Sequence, residues 1–155
     1  MTGGPLTEDD KRELCAWRYE GAYALYNLPP YEELRGAKRG FMDPRREADY
    51  RGFRVDGQLT GYVHIIEGPD GISIGIGVRP DCCGKGHGCR ILKETCQALR
   101  ARFPGKPLVL AVRTWNLRAI RCYQKAGFRA EGGPYEAVTP CGRGEFIRMV
   151  WDGRP

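Results

Sequence analysis

The sequence has no hydrophobic run that could cross a membrane as a helix. None of its apolar stretches approaches the roughly 18 residues that such a helix needs. Residues 1–14 also lack the basic segment and the apolar segment of a secretory signal. We therefore expect a cytoplasmic protein that does not associate with membranes.

Disulfide bonds and metal sites are not indicated either. The seven cysteines are an odd number and no secretory signal accompanies them, so we expect reduced thiols. Structural zinc sites usually combine two separated pairs of ligands. Here the candidate ligands form a single cluster, made of Cys82, Cys83, His87 and Cys89. We expect no metal.

The chain is basic, but its basic residues are not gathered in one place. The net charge is +6, and lysine and arginine are spread along the chain without a nucleic-acid-binding motif. Such a charge suits a small anionic ligand such as a phosphate-bearing cofactor. We expect no nucleic-acid partner.

The pattern of hydrophobic and turn residues predicts one α+β domain over residues 1–155, with a central, mostly antiparallel sheet. Residues 1–6 are expected to be a lead-in and 36–49 a loop. The predicted elements are helices at about 8–17 and 31–35, strands at 50–55, 59–67 and 72–78, a helix at 88–103, a buried strand at 108–112, a helix from Asn116 to Gly127, and strands at about 129–138 and 145–151.

A glycine-rich stretch joins the third predicted strand to the long helix. Gly84, Gly86 and Gly88 alternate with Lys85 and His87, which leaves backbone N–H groups uncovered by side chains. The helix that follows adds its own unpaired N–H groups and the positive end of its dipole. Strand, loop and helix in this order favour a phosphate or pyrophosphate site.

Two common phosphate-binding motifs do not fit this stretch. It lacks the Gly-x4-Gly-Lys-Ser/Thr spacing of a Walker loop. A dinucleotide fingerprint starting at Gly84 would need its third glycine at Cys89, but that glycine falls one position early, at Gly88. Both interpretations are disfavoured.

The stretch does resemble the acyl-CoA-binding motif of the GNAT family of N-acetyltransferases. In that motif a Val-x-Pro strand end leads into an Arg/Gln-x-x-Gly-x-Gly/Ala loop, and here Val78-Arg79-Pro80 precedes Cys83–Gly88. Residues 116–128, NLRAIRCYQKAGF, are similar to the family's Asn-x-x-Ala-x-x-x-Tyr-x-x-x-Gly-Phe segment. The resemblance covers residues 50–150. It implies the GNAT fold, a twisted, mostly antiparallel sheet flanked by helices.

The resemblance also implies that acetyl-CoA is the acyl donor. Its pyrophosphate would be bound by backbone N–H groups in the loop formed by Cys83, Gly84, Lys85, Gly86, His87 and Gly88. Main-chain groups near Ile76 and Val78 would pair with the pantetheine arm and polarise the acetyl carbonyl. Tyr123 matches the tyrosine that protonates the leaving thiolate, and Asn116 would cap its helix and contact the cofactor arm.

The chain departs from the family pattern at two points. Cys83 stands where the family usually has Arg or Gln, a loss of charge that Lys85 and Arg79 could offset. The strand at 72–78 has no acidic residue where many relatives carry a general base. Glu67 on the preceding strand is therefore our candidate base. His64 is a second candidate base, because histidine titrates near neutral pH. The alternative is that His64 is an ordinary strand residue without a catalytic role.

An aromatic-rich segment near the amino terminus is the candidate acceptor site. The segment contains four aromatic residues, Trp17, Tyr19, Tyr23 and Tyr26. Their rings are apolar, and the tyrosines also carry a polar hydroxyl, a combination suited to a substrate cleft. The same rings could instead fill the edge of the core. The sequence leaves both roles open.

The sequence thus predicts an enzyme that moves an acetyl group from acetyl-CoA to a primary amine by direct attack. The acceptor, a small molecule or a protein amine, stays open. One alternative is another acyl group on the same scaffold. Another is a catalytically idle acyl-CoA-binding module that regulates a partner, which the missing acid keeps open. A homodimer is also compatible with the resemblance.

Overall fold

The computed structural model describes residues 1–153. Within them, eight strands form one sheet in the order β1-β2-β3-β4-β5-β8-β6, and β7 also pairs with β8. The strands are β1 Thr2–Gly4, β2 Tyr50–Val55, β3 Gln58–Gly68, β4 Gly71–Val78, β5 Leu108–Arg113, β6 Phe128–Ala130, β7 Tyr135–Thr139 and β8 Gly142–Trp151. The α-helices are α1 Glu8–Ala16, α2 Tyr31–Ala37, α3 His87–Arg102 and α4 Leu117–Ala126.

Neighbouring strands in this sheet run antiparallel, with one exception. Strands β4 and β5 pair in parallel, and α3 forms the crossover between them. The predicted α+β architecture with a mostly antiparallel sheet is therefore confirmed. No helix within residues 1–153 is both long enough and apolar enough to span a bilayer.

Local sequence signals explain where the helices begin and end. The side chain of Thr7 accepts a hydrogen bond from the backbone of Asp10, whose carboxylate accepts one from Thr7 N–H, so α1 starts with a capping box. Asn116 caps α4 through its side-chain oxygen, and Gly127 ends that helix with a positive φ of 104°. Both helices thus begin where the sequence predicted.

The sheet is covered on both faces. Helices α3 and α4 pack on one face, where Ile72, Leu92 and Leu108 are fully buried. Adjacent residues of β3 point to opposite faces, so Val63 contacts α3 while Tyr62 packs on the other face with residues of α1 and α2. The second core is smaller and includes the aromatic rings of Trp17, Tyr31, Phe41, Tyr50 and Tyr62.

The central feature of the sheet is a gap between β4 and β5. The two strands pair only at Ile72 with Leu108 and at Ser73 with Val109, although β4 continues to Val78 and β5 to Arg113. Beyond these two pairs the strands diverge. Their unpaired edges form the walls of the cleft described below.

Two predictions about the strands of the sheet were wrong. Residues 2–4 are not a lead-in but the edge strand β1, which pairs antiparallel with β2. The single strand expected over 129–138 is divided into β6 and β7, because Gly132, with a φ of 75°, Gly133 and Pro134 interrupt it.

Candidate functional site

A cleft of about 750 Å³ opens between the diverging strands. Its walls are the ends of β4 and β5, the start of α3, one side of α4, and a 3-10 helix at Gly21–Tyr26. Most predicted site residues line it: Trp17, Tyr19, Tyr23, Tyr26, Ile76, Val78, Cys83, Gly84, Gly86, Gly88, Asn116 and Tyr123. The structure thus brings residues from five separate segments of the sequence to one place.

The glycine loop ends at the start of α3 with backbone groups exposed. Gly84 and Gly86 have φ values of 76° and 85°, a region that side-chain-bearing residues rarely adopt. Gly86 occupies the N-cap position, and no side chain caps the helix there. The first N–H groups of α3, beginning at His87, therefore have neither a helical partner nor a capping side chain. Such a loop suits an anionic group.

Gly88 is required for a different reason, which is close packing. A Cβ atom at this position would lie 3.0 Å from the Sγ of Cys122 on α4 and 3.3 Å from a methyl carbon of Val78 on β4. Both distances are tighter than ordinary contacts. The absent side chain lets the start of α3 approach the cleft wall.

Cys83 does not replace an arginine or glutamine in any polar contact with the loop. Its thiol lies 3.5 Å from the carbonyl oxygen of Arg79 and 3.7 Å from that of Val78, and burial raises its pKa. Arg79 is engaged elsewhere, in an ion pair with Asp81 and a hydrogen bond to Leu59. Lys85 is exposed on the loop itself, where its charge is available.

The edge of β4 offers main-chain groups to the cleft. Ile72 N–H points towards β5, where it donates to the carbonyl of Pro107. Because the backbone groups of a strand alternate sides, those of Ile76 and Val78 also face the β5 side, where the strands have separated. The carbonyl of Val78 accepts a 2.7 Å hydrogen bond from the hydroxyl of Tyr19. The polar groups of Ile76 face the open gap.

Tyr123 lies on the face of α4 that borders the cleft. Its ring packs against Phe128, with 6.3 Å between ring centroids, and the side of the ring contacts the main core. Burial raises the pKa of its hydroxyl well above the ordinary value for tyrosine. The group therefore stays protonated at neutral pH and could donate a proton.

Asn116 connects α4 to the aromatic segment. Its side-chain oxygen accepts from Ala119 N–H at 3.2 Å, while its side-chain nitrogen donates to the hydroxyl of Tyr26, also at 3.2 Å. Asn116 is only 8% exposed. Capping, one of its two expected roles, is thus present, and the second polar contact positions Tyr26.

The aromatic residues divide between core and cleft wall. Trp17 is buried beside Tyr62 in the smaller core, and it forms only the floor of the cleft. Tyr23 lies at the mouth, against the exposed ring of Trp115 and beneath the guanidinium of Arg118, 4.0 Å from its ring centroid. The segment that carries Tyr23 is closed by Asn27, whose side chain bonds both backbone groups of Tyr19. Trp17 therefore packs in the smaller core, whereas the Tyr23 ring forms part of the cleft wall.

The structure does not bring Glu67 to the cleft. The loop end of β3 is where Gly61 pairs with Val78, whereas Glu67 pairs with Ile72 at the opposite end and forms an ion pair with Lys106. His64 also lies outside the cleft lining and stacks on Tyr50 at 4.0 Å, and burial lowers its pKa. Neither candidate base faces the gap.

The charges of the cleft are all positive. Among the described residues that line it, there is no aspartate, glutamate or histidine, and four are cations: Arg113, Arg118, Arg121 and Lys125. The sequence analysis missed all four. Arg118, Arg121 and Lys125 lie within the 116–128 motif on α4, and their spacing could have placed them on the exposed side of that helix.

The clustered cysteines and histidine are not gathered around one point within residues 1–153. No group of three or more potential ligands comes together there. Cys82 and Cys83 lie on the short turn before the loop, and Cys89 lies in the first turn of α3, bordering the cleft.

The splayed β4–β5 pair, the glycine loop at the start of α3 and the cleft between them form one continuous site. A family model described as "Acetyltransferase (GNAT) family" matches residues 11–128. The chain therefore belongs to the GNAT family of acetyltransferases. Comparison with curated protein sequences gives no significant match.

Solved structures show the same fold. A chimeric spermidine N-acetyltransferase SpeG from Vibrio cholerae and hSSAT has a TM-score of 0.71 at 20% identity, covering 97% of this chain and 93% of that one. The structure of AAC(6')-Ib with ribostamycin and coenzyme A has a TM-score of 0.73 at 21% sequence identity, and the match covers 97% of this chain and 92% of that one. The ribosomal-protein-S18-alanine N-acetyltransferase of Escherichia coli has a TM-score of 0.66 at 21% sequence identity, and the match covers 99% of this chain and 94% of that one.

Proposed function

We propose that this protein transfers the acetyl group of acetyl-CoA to a primary amine by direct attack of the amine. The observation that carries the proposal is the gap between β4 and β5, which opens directly onto the uncapped start of α3. Membership of the acetyltransferase family supports it. Three of the similar structures also contain coenzyme A or acetyl-CoA.

The residues present fit this donor. The free N–H groups at the glycine loop would bind the pyrophosphate, and the exposed Lys85 would add a positive charge beside it. The main-chain groups of Ile76 would pair with the amide-containing arm in the gap, as a strand neighbour otherwise would. Asn116, which holds Tyr26, borders the same gap.

The chemistry needs a polarised carbonyl and a proton for the leaving thiolate. Acetyl-CoA, when bound, supplies a thioester that an amine can attack. Main-chain N–H groups of β4 would orient and polarise its carbonyl. The Tyr123 hydroxyl would give its proton to the departing sulfur, a role that its raised pKa supports because the hydroxyl remains protonated.

Deprotonation of the acceptor is left to water. No carboxylate or imidazole lines the cleft within the described residues, and Glu67 and His64 lie elsewhere. The amine would therefore bind after losing a proton to solvent, or lose it through a water molecule in the cleft. The same observation favours a second candidate function, a catalytically idle acyl-CoA-binding module.

Thermal unfolding with acetyl-CoA and with coenzyme A tests the donor site. Ligand at 100 times its Kd contributes about 2.7 kcal/mol, which at about 2–4 °C per kcal/mol corresponds to a rise in Tm of about 5–10 °C. Lys85→Glu should reduce the rise, whereas Lys93→Glu, on an exposed side of α3, should not. No rise with either ligand contradicts both candidate functions.

Thiol release with a panel of amines then separates the two candidates. An active enzyme releases free coenzyme A much faster in the presence of an amine than acetyl-CoA releases it by hydrolysis alone. An idle module binds acetyl-CoA, shows the same rise in Tm, and releases no thiol with any amine. The sequence and structure favour the first result, because Tyr123 borders the cleft where a proton donor is needed.

A further inference from the structure

Arg113 is a buried cation that has no carboxylate partner among residues 1–153. Only 6% of its surface is exposed, and none of its contacts within that range is with an acidic side chain. Its guanidinium donates to the carbonyls of Gly142 and Arg143 and to the hydroxyl of Thr139. Buried charges in proteins are ordinarily paired, because removing a charge from water is costly.

The surroundings of this guanidinium are built to hold it in place. It lies over the ring of Phe146, 4.9 Å from the centroid, and a Cβ atom at Gly144 would be only 2.1 Å from one of its nitrogens. A larger residue there would displace the end of the Arg113 side chain. Phe146 and Cys141, which flank the group, line the cleft together with Arg113. The positive charge is thus held at the wall of the cleft.

This charge lies on the acceptor side of the cleft. Arg113 ends β5, and its charge is close enough to Tyr26 to oppose the rise in the pKa of Tyr26 that burial causes. Arg118 adds a second cation over the ring of Tyr23, nearer to the glycine loop, since its charge also opposes the rise in the pKa of Cys83 that burial causes. The glycine loop lies at the opposite wall, at the start of α3, where Lys85, the helix dipole and free N–H groups meet the phosphates in our proposal.

We propose that the acceptor amine carries a carboxylate, which Arg113 binds, and that polycationic amines are poor acceptors. This inference rests on the proposed acetyl transfer. A guanidinium pairs with a carboxylate through two parallel hydrogen bonds, which gives orientation as well as energy. Two or more positive charges on an acceptor would face Arg113 and Arg118, and no acidic group of the described lining offsets the repulsion. The carboxylate could belong to a free amino acid or to an acidic residue near a peptide amino terminus.

Matched acceptor pairs test the inference on the wild-type protein. One arm compares β-alanine and γ-aminobutyrate with their amides, and a second compares Ala-Glu-Gly-amide with Ala-Gln-Gly-amide, all at equal concentrations of unprotonated amine. In at least one pair, the kcat/KM of the carboxylate acceptor should exceed that of its amide by roughly tenfold or more, the range expected for a charged hydrogen bond. The arm with the larger ratio identifies the source of the carboxylate. Spermidine and kanamycin should be the poorest acceptors.

Variants show whether Arg113 carries the preference. Arg113→Gln should lower kcat/KM for the carboxylate acceptor roughly tenfold more than for its amide, whereas a purely structural role would lower both equally. Arg113→Lys should keep part of the preference. Arg51→Gln, which removes an exposed arginine that also bonds a carbonyl, should change neither. If Arg113→Gln does not fold, the wild-type ratios and Arg113→Lys decide.

Two results overturn the inference while leaving acetyl transfer intact. One is turnover in which amides or polyamines equal or exceed the carboxylate acceptors. The other is a preference for succinyl-CoA over acetyl-CoA that Arg113→Gln abolishes, since the anion would then be on the acyl group. Binding of acetyl-CoA without turnover of any acceptor contradicts the proposed function as well as the inference.

Discussion

The hydroxyl of Tyr19 donates a 2.7 Å hydrogen bond to the carbonyl of Val78 at the end of β4. The two residues are 59 positions apart, and the bond joins the amino-terminal segment to the strand that borders the cleft. Because Asn27 fixes the backbone of Tyr19, the position of the whole aromatic segment depends on this strand end. The aromatic segment and the end of β4 are therefore joined directly.

Tyr19→Phe should destabilise the protein measurably. The change leaves the part-buried Val78 carbonyl with only the weak thiol donor of Cys83, and the loss of a neutral hydrogen bond costs about 0.5–1.5 kcal/mol. Urea unfolding measures the loss. The control is Tyr31→Phe, which removes an exposed hydroxyl bonded to Glu8 and should cost less than about 0.5 kcal/mol. Equal losses in the two variants would show that the Tyr19 bond does not join the segments as described.

Tyr123→Phe should lower kcat by roughly a hundredfold or more, the effect expected when a general acid is removed. The affinity for acetyl-CoA should stay the same, because the ring and its packing on Phe128 are retained. Tyr135→Phe, an exposed tyrosine on β7, is the control and should behave as wild type. A normal kcat of the Tyr123→Phe variant at every pH would exclude Tyr123 as the proton donor.

The pH dependence of kcat/KM should have one limb, set by the acceptor and not by the protein. The described cleft lining contains no carboxylate or histidine that could titrate, so the rate rises with pH as the free amine loses its proton. The active form of Tyr123 is protonated, and burial raises its pKa above the ordinary value of 10. Activity lost through deprotonation of Tyr123 is therefore lost only above pH 10. Two acceptors whose amine pKa values differ by one unit should give curves displaced by one unit. Coinciding curves would reveal a titrating base in the protein.

Gly88→Ala should weaken acetyl-CoA binding. The added methyl group meets Cys122 Sγ at 3.0 Å and displaces the start of α3, at an overpacking cost of about 1–3 kcal/mol. Cys122→Ala in the same chain should restore much of the affinity by making room. Gly36→Ala is the control, since nothing lies within 4 Å of its added Cβ and its φ is not positive. Failure of Cys122→Ala to restore binding would mean that the close packing is not what Gly88 provides.

The sequence predicted the parts of the site whose constraints are local. Gly84 and Gly86 are marked by the backbone conformation of a turn, and Asn116 by the requirement for a helix cap. These requirements involve only residues a few positions apart. The order of strands and helices followed from hydrophobic periodicity in the same way.

What the sequence could not supply depends on pairing between distant segments. Whether Glu67 reaches the cleft depends on which end of β3 lies beside the loop, and the register with β4 places it at the far end. The burial of Arg113 depends on the β7–β8 turn folding over it, about 30 residues away. β1 was missed because Thr2-Gly3-Gly4 has no strand pattern of its own and is held by β2.

The central claim is transfer of an acetyl group from acetyl-CoA bound in the β4–β5 cleft to an amine. Mass spectrometry of reactions with isotope-labelled acetyl-CoA and the amine panel tests it most directly. We predict a labelled amide formed in equal amount with free coenzyme A, and a loss of both products in Tyr123→Phe. Release of coenzyme A with labelled acetate and no labelled amide, or no release with any acceptor, would contradict the account.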